Sequence, residues 1–140
     1  MKISQHRATP LSLLVLVLAP AAAEDWPSWR GPTADGVVAS AEAPLRWSAE
    51  DNVKWKVALG LPANGSPVIQ GARVFLTTPE DTEGKGRTLE CYSRADGERL
   101  WARTVQIDEK MPTHETNPYC GTTPAVSDDR RSRILGTTTS

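Results

Sequence analysis

Apolar and polar positions alternate over short runs along this chain, with frequent glycines and prolines between them, a pattern of strands and turns rather than long helices. Over residues 53–59, Val53, Trp55, Val57 and Leu59 alternate with Lys54, Lys56 and Ala58, which predicts a strand with one buried face. Pro67-Val68-Ile69 predicts a short strand, Gln70-Gly71 a turn, and residues 73–78 a second strand rich in Val, Phe, Leu and Thr. After the polar loop at residues 80–86 a third strand is expected at 88–92, a two-residue hairpin turn at Asp96-Gly97 and a fourth strand at 99–105. Short turns favour antiparallel neighbours, so the expected unit is a four-stranded meander closed by Trp101.

The flanks of that unit carry further pattern. Residues 24–50 hold Trp26, Pro27, Trp29, Gly31, Pro32 and the turn pair Asp35-Gly36, punctuation that no helix survives. They predict an extended, turn-broken opening segment whose tryptophans pack on something larger. At the other end the unit begins again. Ser66-Pro67-Val68 recurs as Thr123-Pro124-Ala125-Val126, and Trp55-Lys-Val-Ala-Leu59 recurs as Trp101-Ala-Arg-Thr-Val105. Repeats at intervals of about 50 residues with four strands each indicate propeller blades rather than a solenoid.

Composition sharpens this reading. The 140 residues include 10 Gly, 11 Pro and 5 Trp against 1 Phe, and 24% charged with 39% hydrophobic residues is not the make-up of a disordered tail. The net charge is −1, and the leader carries away Lys2 and Arg7, leaving the remainder more acidic. No basic stripe is present, so nucleic acid is not an expected partner.

The N-terminus has those two cations, an apolar run over residues 11–19 interrupted by Ser12, then Pro20 and Ala21-Ala22-Ala23 before Glu24. This is the order of a cleavable signal peptide over residues 1–23, with cleavage expected after Ala23. A membrane span needs about 20 apolar residues, roughly twice this run. A lipoprotein leader would place Cys at position 24, where Glu stands. The mature chain is therefore expected to be extracytoplasmic, periplasmic or secreted, with no transmembrane span and no lipid of that kind. Cys91 and Cys120 would meet an oxidising compartment, where one disulfide is allowed but not required. Their spacing has no metal-ligand pattern, and His114 is the one histidine left after the leader, so no metal site is expected.

Thr88-Leu-Glu-Cys-Tyr-Ser-Arg-Ala-Asp-Gly-Glu-Arg-Leu-Trp101 resembles the repeat of the PQQ-like, quinoprotein-type β-propellers. Asp25-Trp-Pro-Ser-Trp-Arg-Gly-Pro32, Leu45-Arg-Trp-Ser48, Asn52-Val-Lys-Trp-Lys56, Arg73-Val-Phe-Leu-Thr-Thr78 and His114-Glu-Thr-Asn-Pro-Tyr-Cys120 look like the BamB-like secreted bacterial members. The resemblance runs from Asp25 to about Val126. It implies an all-β fold of four-stranded antiparallel blades over residues 51–126, about one and a half of them present. Trp101 would then be the inter-blade docking tryptophan, with Trp55 and Gly97 in the same structural role. BamB is an outer-membrane assembly factor, and likeness to it implies a non-catalytic binding or scaffold protein whose partners are proteins of the cell envelope.

The pattern breaks in two places. Leu61-Pro-Ala-Asn-Gly65 is less rich in Gly and Ser than the family's turn, and the tail at residues 127–140 replaces an expected run of valines and aromatics. One permitted set of codons for residues 130–137 reads Val-Val-Val-Ala-Phe-Trp-Gly in the frame one base later. A frameshift near Asp129 that truncates a longer propeller is therefore expected, to be decided by resequencing the gene through its downstream bases.

The chemistry-bearing residues favour bland roles. A PQQ-dependent dehydrogenase needs an aromatic floor, Ca²⁺ on oxygen ligands and a carboxylate base. Trp55 and Trp101 sit at repeat-equivalent strand ends, which assigns them to docking, and Asp81, Glu83 and Asp96 lie in turns where solvation is expected. The vicinal Cys pair of the alcohol-oxidising members is absent, so neither PQQ nor Ca²⁺ is expected here. They belong to the alternative in which the chain is part of a quinoprotein or other secreted redox enzyme. A cell-surface or polysaccharide-binding propeller is a further alternative. His114, Asn117, Tyr119 and Cys120 form the most unusual cluster, in a long loop of the kind that crowds a propeller's channel mouth, where ligands bind. Against that, Asn117 and Pro118 suit a turn while Tyr119 packs, and a Cys120/His114 nucleophile pair has only its spacing to recommend it. Arg30 and Asp35 are expected to form a salt link or to be solvated.

Overall fold

The computed structural model describes residues 24–38, 44–110, 112–114 and 116–127. The expected signal peptide with its cleavage after Ala23, and the aberrant tail from residue 128 onward, lie outside the described residues. Four strands follow one another: β1 (Val68–Gln70), β2 (Arg73–Pro79), β3 (Gly86–Ser93) and β4 (Arg99–Gln106). They form one antiparallel sheet in the order β1-β2-β3-β4, the meander that the alternation predicts. The described residues contain no helix, and so none long and apolar enough to cross a membrane.

The register places the apolar residues of all four strands in one row. Val68 pairs with Phe75, Phe75 with Cys91, and Cys91 with Trp101. Directly opposed residues share a sheet face, so these four side chains lie side by side, joined by Leu89 one pleat away. Val68, Phe75, Leu89 and Cys91 are the buried core, with Trp101 and Val126 packed against it. Burying each large aliphatic or aromatic side chain contributes about 1.5–3 kcal/mol. The Phe75 and Trp101 rings meet tilted at 55° with centroids 6.0 Å apart, within the range where ring edges and faces attract.

Two local features differ from the expected strands. A bulge between Cys91 and Tyr92 pairs Cys91 with Trp101 but Tyr92 with Arg99, leaving Leu100 without a partner and exposed. The shift keeps Trp101 opposite Cys91, where it packs against the core. The hairpin is also longer than the two residues expected from Asp96-Gly97. Ser93 N donates to the Glu98 carbonyl at 2.8 Å, and Gly97 N to the Ser93 carbonyl at 2.9 Å, so Arg94, Ala95, Asp96 and Gly97 form the turn. Gly97 takes φ 77, a conformation costly for other residues.

The expected strand over residues 53–59 is not formed. No strand is assigned there, and Val53, Val57 and Leu59 are exposed. Alternation gives a strand a buried face only where a neighbour supplies backbone partners, and none of the four strands pairs with this segment. Trp55 anchors it. Its indole lies on Gly97, where an added Cβ would stand 2.7 Å from the ring, and its Nε1 donates to the Arg94 carbonyl at 3.1 Å.

The opening segment packs through Trp26, while Trp47 is exposed. Trp26 N donates to the Ile69 carbonyl and Ile69 N to the Trp26 carbonyl, both at 2.8 Å, covering the free edge of β1. The ring of Trp26 rests on Gly31. Trp29 instead stays 64% exposed with the Arg30 guanidinium over it at 5.6 Å. Arg94 ties this segment down by donating to the Glu24 and Gly71 carbonyls and pairing with Asp25 at 3.5 Å. Of the two alternatives for Arg30 and Asp35, a salt link or solvation, both residues are exposed and meet through the backbone: Arg30 donates to the Asp35 carbonyl, while the Asp35 carboxylate accepts from Thr33 and the Val37 amide. Short Asx geometry satisfies that carboxylate locally, so the guanidinium takes the backbone instead.

Gly97→Ala adds a methyl group at a left-handed backbone position and against the Trp55 ring. It is expected to destabilise the chain by about 2 kcal/mol or more, read as a lower urea midpoint together with a red-shifted, more solvent-exposed tryptophan emission.

Candidate functional site

Two surfaces carry the chain's polar chemistry. The first is the sheet face opposite the core. Thr78, Thr88 and Thr104 are paired in register across β2, β3 and β4. Their hydroxyls serve two carboxylates. Glu80 accepts from Thr104 at 2.6 Å and Thr88 at 2.9 Å, and these bonds hold its carboxyl below the usual value. Glu90 is buried and accepts from Thr78 at 2.5 Å and from the Tyr92 hydroxyl, with Arg99 at 3.5 Å. Burial pushes the Glu90 carboxyl up, but the two hydroxyl donors and the guanidinium outweigh it, and the carboxyl lies below its ordinary range. Burial and the neighbouring carboxylate push the Tyr92 phenol up to about 12. An open cleft of about 910 Å³ lies over this face, between it and Gly60 and Leu61.

The second surface is built by the long loop after β4. Tyr119 lies against Gly84 so closely that a Cβ there would fall 2.2 Å from the ring. Around that joint Leu61, Pro79, Pro112, Pro118 and Tyr119 wall a recess of about 430 Å³, rimmed by Asp81, Lys110, His114 and Asn117. Of the four loop residues expected to form a ligand site, the structure brings His114, Asn117 and Tyr119 to this recess and leaves Cys120 out of its lining.

Each of these residues has local obligations. His114 Nδ1 is within 2.8 Å of the Thr116 hydroxyl, and the His114 carbonyl accepts from Asn117 N. Asn117 Oδ1 accepts from Asn64 Nδ2 at 3.1 Å. The Cys120 carbonyl accepts from Gly65 N and from the Thr77 hydroxyl, and burial pushes its thiol up, away from the thiolate a nucleophile needs. Cys91 is fully buried, its thiol likewise pushed up, and both cysteines are free thiols. The recess thus offers an apolar wall and a polar rim for binding, and no nucleophile paired with a base among the described residues.

Asp81 was the residue least legible in the sequence. Its carboxylate is expected to be solvated, yet it accepts from the backbone amides of Gly86 at 2.6 Å, Glu83 at 2.8 Å and Lys85 at 3.1 Å, which hold it below its usual value. It folds the loop between β2 and β3 around itself and so sets the recess floor. Asp96 similarly accepts from Glu98 N, and Glu83 pairs with Lys85 at 2.7 Å. An Asp followed two to five residues later by Gly is the only sequence signal for such a loop. The residues a quinone or a cation would call on have other contacts among the described residues. Trp55 and Trp101 are packed on Gly97 and Phe75, the carboxylates Asp81 and Glu90 are taken up by internal donors, and no metal-holding group of three ligating residues gathers among the described residues.

The class this geometry defines is an all-β protein built on a four-stranded antiparallel meander. Comparison with protein-family models, with curated proteins and with solved structures returns no match.

The Glu90–Tyr92 pair predicts two pH limits. Glu90 is depressed, so its contribution is present above its unfolded value, near 4.5, and is lost as pH falls through the lower folded value. Tyr92 is raised, so its contribution is intact below 10.0 and is lost as pH rises toward about 12. Glu90→Gln is expected to weaken the acid limb of urea stability and to lower the Tyr92 phenolate titration, followed by ultraviolet absorbance, while leaving it above the ordinary value because burial remains.

Proposed function

We propose that the chain is an extracytoplasmic, PQQ-like β-propeller protein acting as a non-catalytic binding or scaffold platform of the BamB-like kind, with cell-envelope proteins as partners. The observation that carries this reading is the contact between successive repeat starts. Ser66 N donates to Thr123 Oγ1 at 2.9 Å, joining the two positions that the internal repeat makes equivalent. Beside them Val126 packs on the first unit's core and donates to the Pro27 carbonyl at 2.8 Å. Neighbouring blades would meet in this way, with equivalent residues adjacent. The Trp55 contact on Gly97 supports the same reading, because a tryptophan from outside the sheet closes on its hairpin.

The platform reading gains from the free edge of β4. The β1 edge is covered by Trp26, but β4 presents Leu100 and Val105 with no strand beyond it among the described residues. An uncovered edge pairs readily with an extended segment of another chain. The recess at Tyr119 gives a second place for recognition, of the size and lining of a small-ligand or peptide-side-chain pocket.

The test has two arms in a producing cell and with purified chain. A photo-crosslinking residue at Leu100 is expected to give discrete adducts with envelope proteins, and Val105→Lys, which places a charge on the same edge, is expected to abolish them. Titration with PQQ and Ca²⁺ is expected to leave the quinone absorbance unchanged. A bound-quinone spectrum, or adducts that survive Val105→Lys unaltered, would overturn the platform reading in favour of a redox enzyme or of another binding face.

A further inference from the structure

Asparagine deamidates without an enzyme when the next residue's backbone nitrogen reaches its side-chain carbonyl carbon, so the following residue decides its reactivity. The chain has three asparagines, Asn52, Asn64 and Asn117, followed by Val53, Gly65 and Pro118. The branched side chain of Val53 crowds its own nitrogen. Pro118 has no N–H to lose. Gly65 has neither obstacle, and Asn64 is exposed.

Gly65 is glycine for a packing reason. A Cβ there would stand 2.8 Å from the Thr122 carbonyl oxygen and 3.0 Å from both the Cys120 carbonyl oxygen and Thr77 Oγ1. The segment that demands glycine also restrains the reaction. Gly65 N, the attacking atom, donates to the Cys120 carbonyl at 3.2 Å. Asn64 Nδ2, the leaving group, donates to Asn117 Oδ1 at 3.1 Å. Ser66 N is held by Thr123 Oγ1 at 2.9 Å, fixing the next peptide as well.

We infer that Asn64 is a spontaneous modification site, deamidating and isomerising when residues 117–123 leave the loop before β1. Gly65 N bonds to Asn64 Cγ, the Cγ–Nδ2 bond breaks, and Nδ2 departs as ammonia carrying the Gly65 amide proton. The five-membered imide then takes up one water and opens at either carbonyl, to aspartate or to isoaspartate. The isoaspartate product lengthens the backbone by one methylene and replaces the donor facing Asn117 with a negative charge. The segment can no longer redock in the same register, so the modification makes undocking permanent. The inference stands on this geometry alone and does not depend on the platform reading.

Full-length chain incubated at mildly alkaline pH, with peptide mapping by mass spectrometry over time, tests it. The one-dalton gain is expected at Asn64 and to be at least about tenfold slower in native buffer than in urea, as a reaction confined to a locally opened state requires. Thr123→Ala, which removes the acceptor for Ser66 N, is expected to speed the native reaction toward the urea rate, and Asn64→Gln to abolish the gain. Equal rates in native buffer and urea would overturn the gating, as would a Thr123→Ala rate identical to the parent. A gain confined to Asn52 or Asn117 would overturn the site. Should Thr123→Ala fail to fold, the native-to-urea ratio of the parent decides alone.

Discussion

The row of side chains Val68, Phe75, Cys91 and Trp101, one from each strand, is the constraint on which the rest of the structure depends. Side chains alternate faces along a strand, so sliding any strand by one residue would send its member of the row to the other side. Holding the row together therefore sets the register of the whole sheet. The same register puts Thr78, Thr88 and Thr104 together on the opposite face, where Glu80 and Glu90 find hydroxyl donors. The polar network is a consequence of the apolar row, and Glu90 can be buried as an anion because three donors arrive with it.

Segments outside the sheet attach to it by close approach at glycines. Trp55 rests on Gly97, Tyr119 on Gly84, and the backbone of Cys120 and Thr122 on Gly65. Each joint places a ring or a peptide where a methyl group would clash, which gives dense contact over a small area. The recess of about 430 Å³ arises at the second of these joints and the guarded Asn64 at the third. Both candidate functional features are thus by-products of how the loops are fastened down, and both involve the segment at residues 117–123.

Much of this was legible in the chain. The four strands, their order and the polar loop between β2 and β3 follow from alternation and turn residues, because both depend on near neighbours. Residues 53–59 show where that reasoning stops. They alternate as a strand should, yet backbone pairing needs a second strand, and none of the four pairs with them. The bulge at Cys91 and Tyr92 was equally hidden, since Leu100-Trp101 reads as two apolar residues until packing against Phe75 selects one of them. At the loop site, His114, Asn117 and Tyr119 stood out by residue type. Asp81 and Leu61 did not, because they reach the recess from distant parts of the chain.

By itself the sequence determined an all-β meander, the positions of its strands and the residue types available for binding, all properties of local pattern. Only the tertiary structure decided which apolar residue of a pair turns inward, which strand-like segment stays unpaired, which carboxylate is saturated by backbone amides, and that Gly65 and Asn64 meet the segment at residues 117–123. For the unpaired segment and for the Asn64 and Gly65 contacts the physical reason is the same. A backbone group or a buried charge must find a partner, and its partner here lies elsewhere in the chain, at a separation that no local period records.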